Sequence, residues 1–150
     1  MIRIQQEAFD TGAEIAEISK GRTDIGAIVS FTGLVRDFND GRNITGLVLE
    51  HYPGMTEREL AKIEAEAHQR WQLQASRIIH RYGNLALGEP IVLVITASPH
   101  RQDAFDAANF LMDWLKTKAP FWKSEMTADG RTVWVEERTS DIDAARRWQK

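Results

Sequence analysis

Residues 91–120 read IVLVITASPHRQDAFDAANFLMDWLKTKAP. The opening segment, Ile91 to Ala97, is continuous in apolar character, which is typical of a central strand covered on both faces. Pro99 then starts a long helix, which ends at Ala119-Pro120 because the residue before a proline is pushed out of the α region. The apolar stripe of this helix, at helical spacing, consists of Ala104, Phe105, Ala108, Met112 and Leu115. The stretch therefore predicts a helix packed on a buried strand.

The chain before this stretch predicts a strand, a helix and two further strands. A short strand covers Ile2 to Gln6, and Asp10 offers an N-cap for a helix that Gly21 closes. Two segments rich in β-branched or alternating residues follow, at Ile25–Val35 and Ile44–Glu50. A polar turn joins them, so we expect these two strands to pair with each other in antiparallel orientation.

A second amphipathic helix is predicted between these strands and the opening stretch. Thr56 and Glu59 have the spacing of a capping box, and apolar residues recur at helical intervals from Thr56 to Gln72. A strand near Arg77–Arg81 follows it. Alternating helices and strands of this kind indicate helices packed on a sheet.

The C-terminal part predicts a hairpin and a charged tail. Asp129-Gly130 is a strong two-residue turn signal between strands at 121–127 and 132–136. Beyond Arg138 the chain is charged, and we expect this tail on the surface or at a dimer contact.

The composition excludes several classes of protein. With 150 residues, 43% hydrophobic and 27% charged, residues 1–150 are expected to form one globular domain. No apolar run approaches the roughly 20 residues of a membrane helix, and no secretory signal begins the sequence, so we expect a cytoplasmic location. The absence of cysteine excludes disulfides, thiolate metal ligands and a cysteine nucleophile. A net charge of −3 disfavours a general nucleic-acid binder, so any anion site must be local.

Basic residues at the ends of elements are the candidates for such a site. Residues 116–123, KTKAPFWK, carry three lysines and no acid in a net acidic chain. Arg36 closes a strand, and His100 and Arg101 open the long helix, where free backbone N–H groups also favour an anion. A lysine in a partly desolvated, positively charged pocket can act as general acid, general base or nucleophile. The alternative interpretation is a solvated surface, which we favour for Lys118.

Metal and nucleotide sites are poorly supported. Glu64 and His68 lie at helical spacing, but without a second histidine or an HExxH pattern they indicate a salt-bridging surface face. The glycines form neither GxGxxG nor a P-loop. We expect no metal and no cofactor.

A set of motifs carries a family resemblance. These are GA (26–27), FxGxVRxxNxG (31–41), EHYPGM (50–55), IHRxG (79–83), HRxxAF (100–105) and KTxAPxWKxE (116–125). In this order and spacing the chain resembles, nearly end to end, the large catalytic subunit of molybdopterin synthase, the MoaE family. The resemblance implies an α+β fold, with an α/β hammerhead core and an additional small antiparallel β subdomain. It also implies a homodimer with a small ubiquitin-like sulfur-carrier subunit at each end, a heterotetramer.

The implied reaction is the conversion of precursor Z, a cyclic pyranopterin monophosphate, into molybdopterin. Two sulfurs would come from the thiocarboxylate on the Gly-Gly terminus of the carrier, which makes the lack of cysteine understandable. The resemblance assigns Lys116 and Lys123 as catalytic residues. It assigns as substrate-binding residues Leu34, Val35, Arg36, His100, Arg101, Ser124 and Glu125, and as the partner-tail channel Phe31, Met112 and Arg138.

Two functions of other classes stay open. The chain could be a non-catalytic adaptor for a ubiquitin-like tail, or a binding module for a phosphate ligand. Both need only positive charge, so they tolerate arginine at the lysine positions, whereas an acid/base or amine role does not.

Overall fold

Two β-sheets and four helices make up the residues that the computed structural model describes, which are 1–39, 41–135 and 139–149. In chain order the elements are β1 (Ile2–Gln5), α1 (Thr11–Ser19), β2 (Ala27–Leu34), β3 (Phe38–Asn39), β4 (Arg42–His51), α2 (Met55–Arg70), β5 (Ala75–Arg81), β6 (Gly83–Ala86), β7 (Pro90–Ser98), α3 (Arg101–Thr117), β8 (Phe121–Thr127), β9 (Thr132–Val135) and α4 (Thr139–Arg146).

The first sheet has the strand order β1-β5-β7-β2, with β1 parallel to β5 and the other neighbours antiparallel. Helices α2 and α3 pack on one face, against residues such as Ile78 and Val94. Helix α1 covers the other face, where Ile18 packs with Leu93 and Ile95. The predicted central strand, β7, is therefore covered on both faces.

The second sheet is smaller and antiparallel. Strand β4 pairs with β6 on one side and β8 on the other, β9 extends the sheet beyond β8, and β3 pairs with the start of β4. The predicted turn at Asp129-Gly130 joins β8 to β9, and Gly130 has a φ of +83° that a glycine adopts without steric cost. A mixed sheet with helices plus a separate antiparallel sheet confirms the expected α+β fold.

The predicted pairing of the strands around 25–35 and 44–50 is wrong. Strand β2 pairs along its length with β7, from Ala27 opposite Ser98 to Gly33 opposite Val92, whereas β4 pairs with β8 in the second sheet. The chain crosses between the sheets at Val35, whose N–H donates to the carbonyl of Glu89 over 3.0 Å. Alternation of side chains shows which face of a strand is buried but does not identify its partner.

Helix α2 begins differently from the prediction. Its N-cap is Gly54, with a φ of +85°, and the backbone N–H of Gly54 donates to Glu57 Oε2 over 2.5 Å. Thr56, expected at the cap, is instead fully buried. Its hydroxyl accepts from the N–H of Tyr52 over 2.9 Å and donates to the carbonyl of Pro120 over 3.1 Å. Thr56 thus ties the start of α2 to the turn before β8.

The C-terminal tail forms an unpredicted helix, α4, and packs against its own chain. Asp113 of α3 accepts hydrogen bonds from Arg147 over 2.8 Å and from Trp148 Nε1 over 2.6 Å. The Trp148 ring lies edge-on to Phe110, 5.7 Å between centroids. Arg138, predicted for the tail channel, lies outside the described residues.

None of the described helices is long and apolar enough to cross a membrane. The cytoplasmic location expected from the sequence stays a prediction, as does the interpretation of residues 1–150 as one domain.

Candidate active site

A cavity of about 440 Å³ lies where the end of β2, the end of α3 and one face of the second sheet meet. Its volume is in the range of sites that bind a small molecule. Most of its wall is apolar. The lining residues are Phe31, Gly33, Leu34, Val35, Arg36, Ile44, Leu47, Leu49, His80, Ile91, Val92, Met112, Leu115, Lys116, Ala119, Phe121, Lys123, Glu125, Val135 and Asp141.

The two lysines predicted to be catalytic both line this cavity. Lys116 lies in the last turn of α3, and Lys123 lies on β8 opposite Leu49 of β4. Pro120 explains their proximity, because it ends the helix and the chain turns back into β8 at the next residue. A lysine on each side of this tight turn can therefore reach one cavity.

Lys118 does not line the cavity and is exposed, which agrees with the solvated surface position favoured for it from the sequence. Its Nζ lies 5.3 Å from the centre of the Trp114 ring, a cation–π distance. Lys118 is thus a natural control for the cavity lysines.

The charged groups of the lining are of both signs. Arg36, Lys116 and Lys123 contribute positive charge, and Glu125 and Asp141 contribute carboxylates. Glu125 is buried, with 6% of its surface exposed, whereas Arg36 is exposed. A cavity with apolar walls and a few charged groups can bind a small molecule that has an apolar body and an ionised group.

His80 is a cavity residue to which sequence reasoning gave no role. Its Nδ1 donates to the carbonyl of Arg81 over 2.8 Å, and its ring stacks on Phe121 with centroids 3.8 Å apart. Burial lowers the pKa of His80 to about 4, against the opposing effect of that hydrogen bond, and the positive charges of Lys116 and Lys123 lower it further. The imidazole is therefore neutral at neutral pH.

Residues predicted for the partner tail lie at the cavity as well. Phe31 and Met112 both line it. Phe31 and the neighbouring Leu34 are large apolar side chains that are 42% and 52% exposed, so they form the mouth of the cavity. Val35, by contrast, is buried in the wall.

Three predicted substrate-binding residues are not brought to this cavity. Ser124 is buried, but strand alternation places it on the face of β8 opposite to its neighbours Lys123 and Glu125. His100 and Arg101 lie at the N-terminus of α3, whereas Lys116 lies at its other end. The two ends of this helix are about 24 Å apart at 1.5 Å per residue.

Glu64 and His68, weighed above as metal ligands, belong to a hydrogen-bond network instead. Ser76 Oγ donates to Glu64 Oε2 over 2.7 Å and therefore accepts from His68 Nε2, also over 2.7 Å. The ammonium of Met1 donates to the same carboxylate over 2.7 Å. The network ties α2 to β5.

Comparison with known proteins places these features in a family. The family model described as MoaE protein matches residues 4–118. The molybdopterin synthase catalytic subunit of Pseudomonas aeruginosa is 60% identical over 149 residues, which are 99% of this chain and 99% of that protein. The subunit of the same name from Mesorhizobium japonicum is 54% identical over 149 residues, 99% of this chain and 92% of that protein.

Solved structures agree with this relationship. The molybdopterin biosynthesis MoaE protein of Burkholderia ambifaria has a TM-score of 0.84 and 46% identity, covering 100% of this chain and 98% of that one. Molybdopterin synthase of Staphylococcus aureus has a TM-score of 0.81 and 34% identity, covering 89% and 96%. The resemblance carried by the motifs is thus confirmed. Because sequence and fold agree over nearly their whole length, the chain belongs to the MoaE protein family.

Proposed function

We propose that the chain is the catalytic subunit of a molybdopterin synthase and acts as a sulfurtransferase. It would convert precursor Z into molybdopterin with two sulfurs from the thiocarboxylate of a small carrier protein. The observation that carries this proposal is the pairing of Lys116 and Lys123 in one largely apolar cavity, in a chain whose relatives bear that name.

The cavity chemistry supports a phosphate-bearing pterin as substrate. Arg36 at its edge can form a two-pronged, charge-assisted contact with a phosphate. Lys116 is exposed, so a substrate that covers the apolar walls would displace water from it. Displacing that water would strengthen the effect of its ammonium on negative charge that develops during sulfur transfer. Lys116 is our first choice for the group that stabilises this charge or moves the proton, and Lys123 is the second.

The mouth of the cavity supports delivery of sulfur by a protein tail. Phe31 and Leu34 at the mouth and Met112 in the wall are bulky, so a backbone passes between them most easily where it has no side chains. A carrier ending in Gly-Gly meets that need. We propose that its globular face supplies affinity and that its tail brings the thiocarboxylate to Lys116.

The first prediction tests catalysis against the adaptor and the phosphate-binding module. Lys116→Ala should lower single-turnover formation of molybdopterin at least about a hundredfold, because proton transfer by a positioned side chain contributes that much. Lys116→Arg should fail as well, since arginine keeps the charge but does not exchange protons near neutral pH. The assay combines thiocarboxylated carrier, precursor Z and the chain, and it measures the dithiolene product.

Lys118→Ala is the matched control, because Lys118 lies two residues away but outside the cavity, and it should keep the wild-type rate. Full activity of Lys116→Arg would reduce the role of this lysine to charge alone. Failure of the wild-type chain to form product, with carrier binding intact, would favour the adaptor.

His100 and Arg101 require a second chain if they bind substrate. They lie about 24 Å along α3 from Lys116, so one copy cannot place them at its own cavity. In a two-fold homodimer the same residues can approach the cavity of the partner copy. We therefore propose that they act across the dimer.

The second prediction tests this arrangement by mixing Lys116→Ala with Arg101→Ala, which we expect to be impaired because it removes a charge-assisted contact to the substrate. Lys116→Ala and Arg101→Ala chains are refolded together so that mixed dimers form. If Arg101 acts across the dimer, each mixed dimer contains one intact site, and a random equimolar mixture should regain about a quarter of wild-type activity. No recovery, with mixed dimers demonstrated by mass, would contradict the proposal.

A further inference from the structure

His80 is a buried titratable residue in the cavity that the proposed function leaves without a role. Only 8% of its surface is exposed, and it lies on β5 between the apolar interior and the cavity. Its ring is held on two sides, by the stack on Phe121 and by the hydrogen bond from Nδ1 to the carbonyl of Arg81. Within the described part of the chain, its Nε2 has no hydrogen-bond partner.

The hydrogen bond to Arg81 decides what Nε2 can do. A carbonyl oxygen only accepts, so Nδ1 must carry the proton of the neutral ring. Nε2 is then an acceptor with a free lone pair. Because the imidazole stays neutral, it offers this lone pair without adding charge to the cavity.

Two lysines and a histidine act electrostatically on His80. Lys116 of α3, Lys123 of β8 and His51 of β4 all act on it electrostatically, with Lys116 having the largest effect of the three. A lysine ammonium has three donors and no acceptor. Among the lining residues that the structure describes, the other side chains that offer a strong acceptor are Glu125 and Asp141. Both of these are carboxylates, so His80 offers an acceptor of a different kind in the same cavity as Lys116, one that carries no charge.

We propose that His80 is a positioning residue whose Nε2 accepts a hydrogen bond from the ammonium of Lys116 and directs that group at the reacting atoms. The inference deepens the proposed function and rests on it for the role of Lys116. A carboxylate in the same place would neutralise the ammonium, whereas an imidazole orients it and preserves its charge. The flexible stem of lysine allows the bond to form when substrate fills the cavity, as is common for catalytic hydrogen bonds.

Two substitutions separate the acceptor from the ring. His80→Phe keeps the stack on Phe121 but has no acceptor, and His80→Gln loses the ring but offers Oε1 as an acceptor. We expect His80→Phe to lower kcat ten- to a hundredfold, as for a lost hydrogen bond to a charged group, with KM changed less than about threefold. His80→Gln should keep at least about a third of the wild-type kcat.

The control is His68→Gln, because His68 lies on α2 in the network with Ser76 and away from the cavity. It should keep the wild-type kcat. If His80→Phe does not fold, His80→Leu supplies a second variant without an acceptor. Equal kcat values for the phenylalanine and glutamine variants would overturn the inference. Glutamine restores the acceptor but not the ring, so it can restore kcat only if the acceptor is what matters.

A measurement independent of activity completes the test. The ¹H–¹⁵N signal of the Lys116 ammonium, identified with Lys116→Arg, is recorded with inorganic phosphate as the anion probe. An ammonium held by an acceptor exchanges its protons slowly, so the signal should be visible in wild type and His80→Gln and lost in His80→Phe. A protonated Nε2 in the wild-type imidazole spectrum at pH 7 would also overturn the inference. An inactive wild-type enzyme would count against the proposed function, while these spectra would still decide the role of His80.

Discussion

Among the glycines, Gly26 has the least room for a side chain. A Cβ atom placed there would lie 2.0 Å from the carbonyl oxygen of Pro99, well inside contact distance. The N–H of Gly26 also donates to the carbonyl of Ser98 over 3.0 Å. The residue before β2 thus packs closely against the turn between β7 and α3. The contacting atom, the Pro99 carbonyl oxygen, belongs to the backbone and cannot move aside as the end of a side chain can.

We expect Gly26→Ala to lower the free energy of unfolding by about 1–3 kcal/mol, as overpacking does. The measurement is the urea midpoint of unfolding. Gly12→Ala is the matched control, because its Cβ would meet Asp10 Oδ1 at an ordinary 3.4 Å and alanine favours the helix. Equal loss in both variants would contradict the steric explanation.

At the residue scale the sequence identified some of the site and missed the rest for physical reasons. Lys116 and Lys123 stand out because the proline between them forces a tight turn in an acid-free segment. Ser124 was grouped with its neighbours Lys123 and Glu125 because they are adjacent in sequence. Adjacent residues of a strand point to opposite faces, so Ser124 does not line the cavity. His80 was given no role because it follows Ile78 and Ile79 in a predicted strand, where a histidine looks like an ordinary structural residue. Asp141 was missed because the helix that carries it was not predicted.

At the element scale, Thr56 connects the start of α2 with the turn that separates the two cavity lysines. It is fully buried, and its hydroxyl serves both Tyr52 and Pro120. Thr56→Val has nearly the same shape but leaves one N–H and one carbonyl without their partner. We expect the free energy of unfolding to fall by about 1–3 kcal/mol.

Because Pro120 precedes β8, the same substitution should also lower molybdopterin formation, measured in the single-turnover assay at a temperature where the variant is folded. Thr45→Val is the control, since the Thr45 hydroxyl donates to the Met126 carbonyl at an exposed position. A wild-type rate in folded Thr56→Val would show that the turn keeps its geometry without this contact.

Periodicity predicted the long elements well and the connections poorly. Strand β7 and helix α3 carry long, regular apolar patterns, so their positions follow from the sequence. The partner of β2 does not, because pairing depends on which strands lie side by side after the chain changes sheet at Val35. Helix α4 is short and charged, and the tail is held largely by Trp148 beyond its end. Such tertiary anchoring leaves no periodic signal.

At the scale of the whole molecule, His80 makes stability depend on pH. Its pKa is lowered to about 4 by burial and by Lys116, Lys123 and His51, below the roughly 6.5 of an unfolded chain. Between these values the unfolded state binds the extra proton, so stability is highest above about pH 6.5 and falls as the pH falls toward 4. We expect a loss of about 2 kcal/mol from pH 7.5 to pH 5.

Urea unfolding at the two pH values measures this loss. The His80→Gln variant should lose much less over the same interval, because glutamine does not titrate. If the variant and wild type lose equally, other groups cause the dependence.

The interleaved strand order also has a consequence for how the protein is made. Strand β2 ends at Leu34, but its pairing partner β7 has been synthesised in full only when the ribosome reaches Ser98. Likewise, β4 can pair with β8 only after Thr127 has been added. At a synthesis rate of about 5–20 residues per second, β2 stays unpaired for on the order of several seconds while the ribosome adds the intervening chain. Apolar strand edges are open during that interval. The nascent chain, more than the finished enzyme, is therefore the form of this protein in which aggregation has to be prevented.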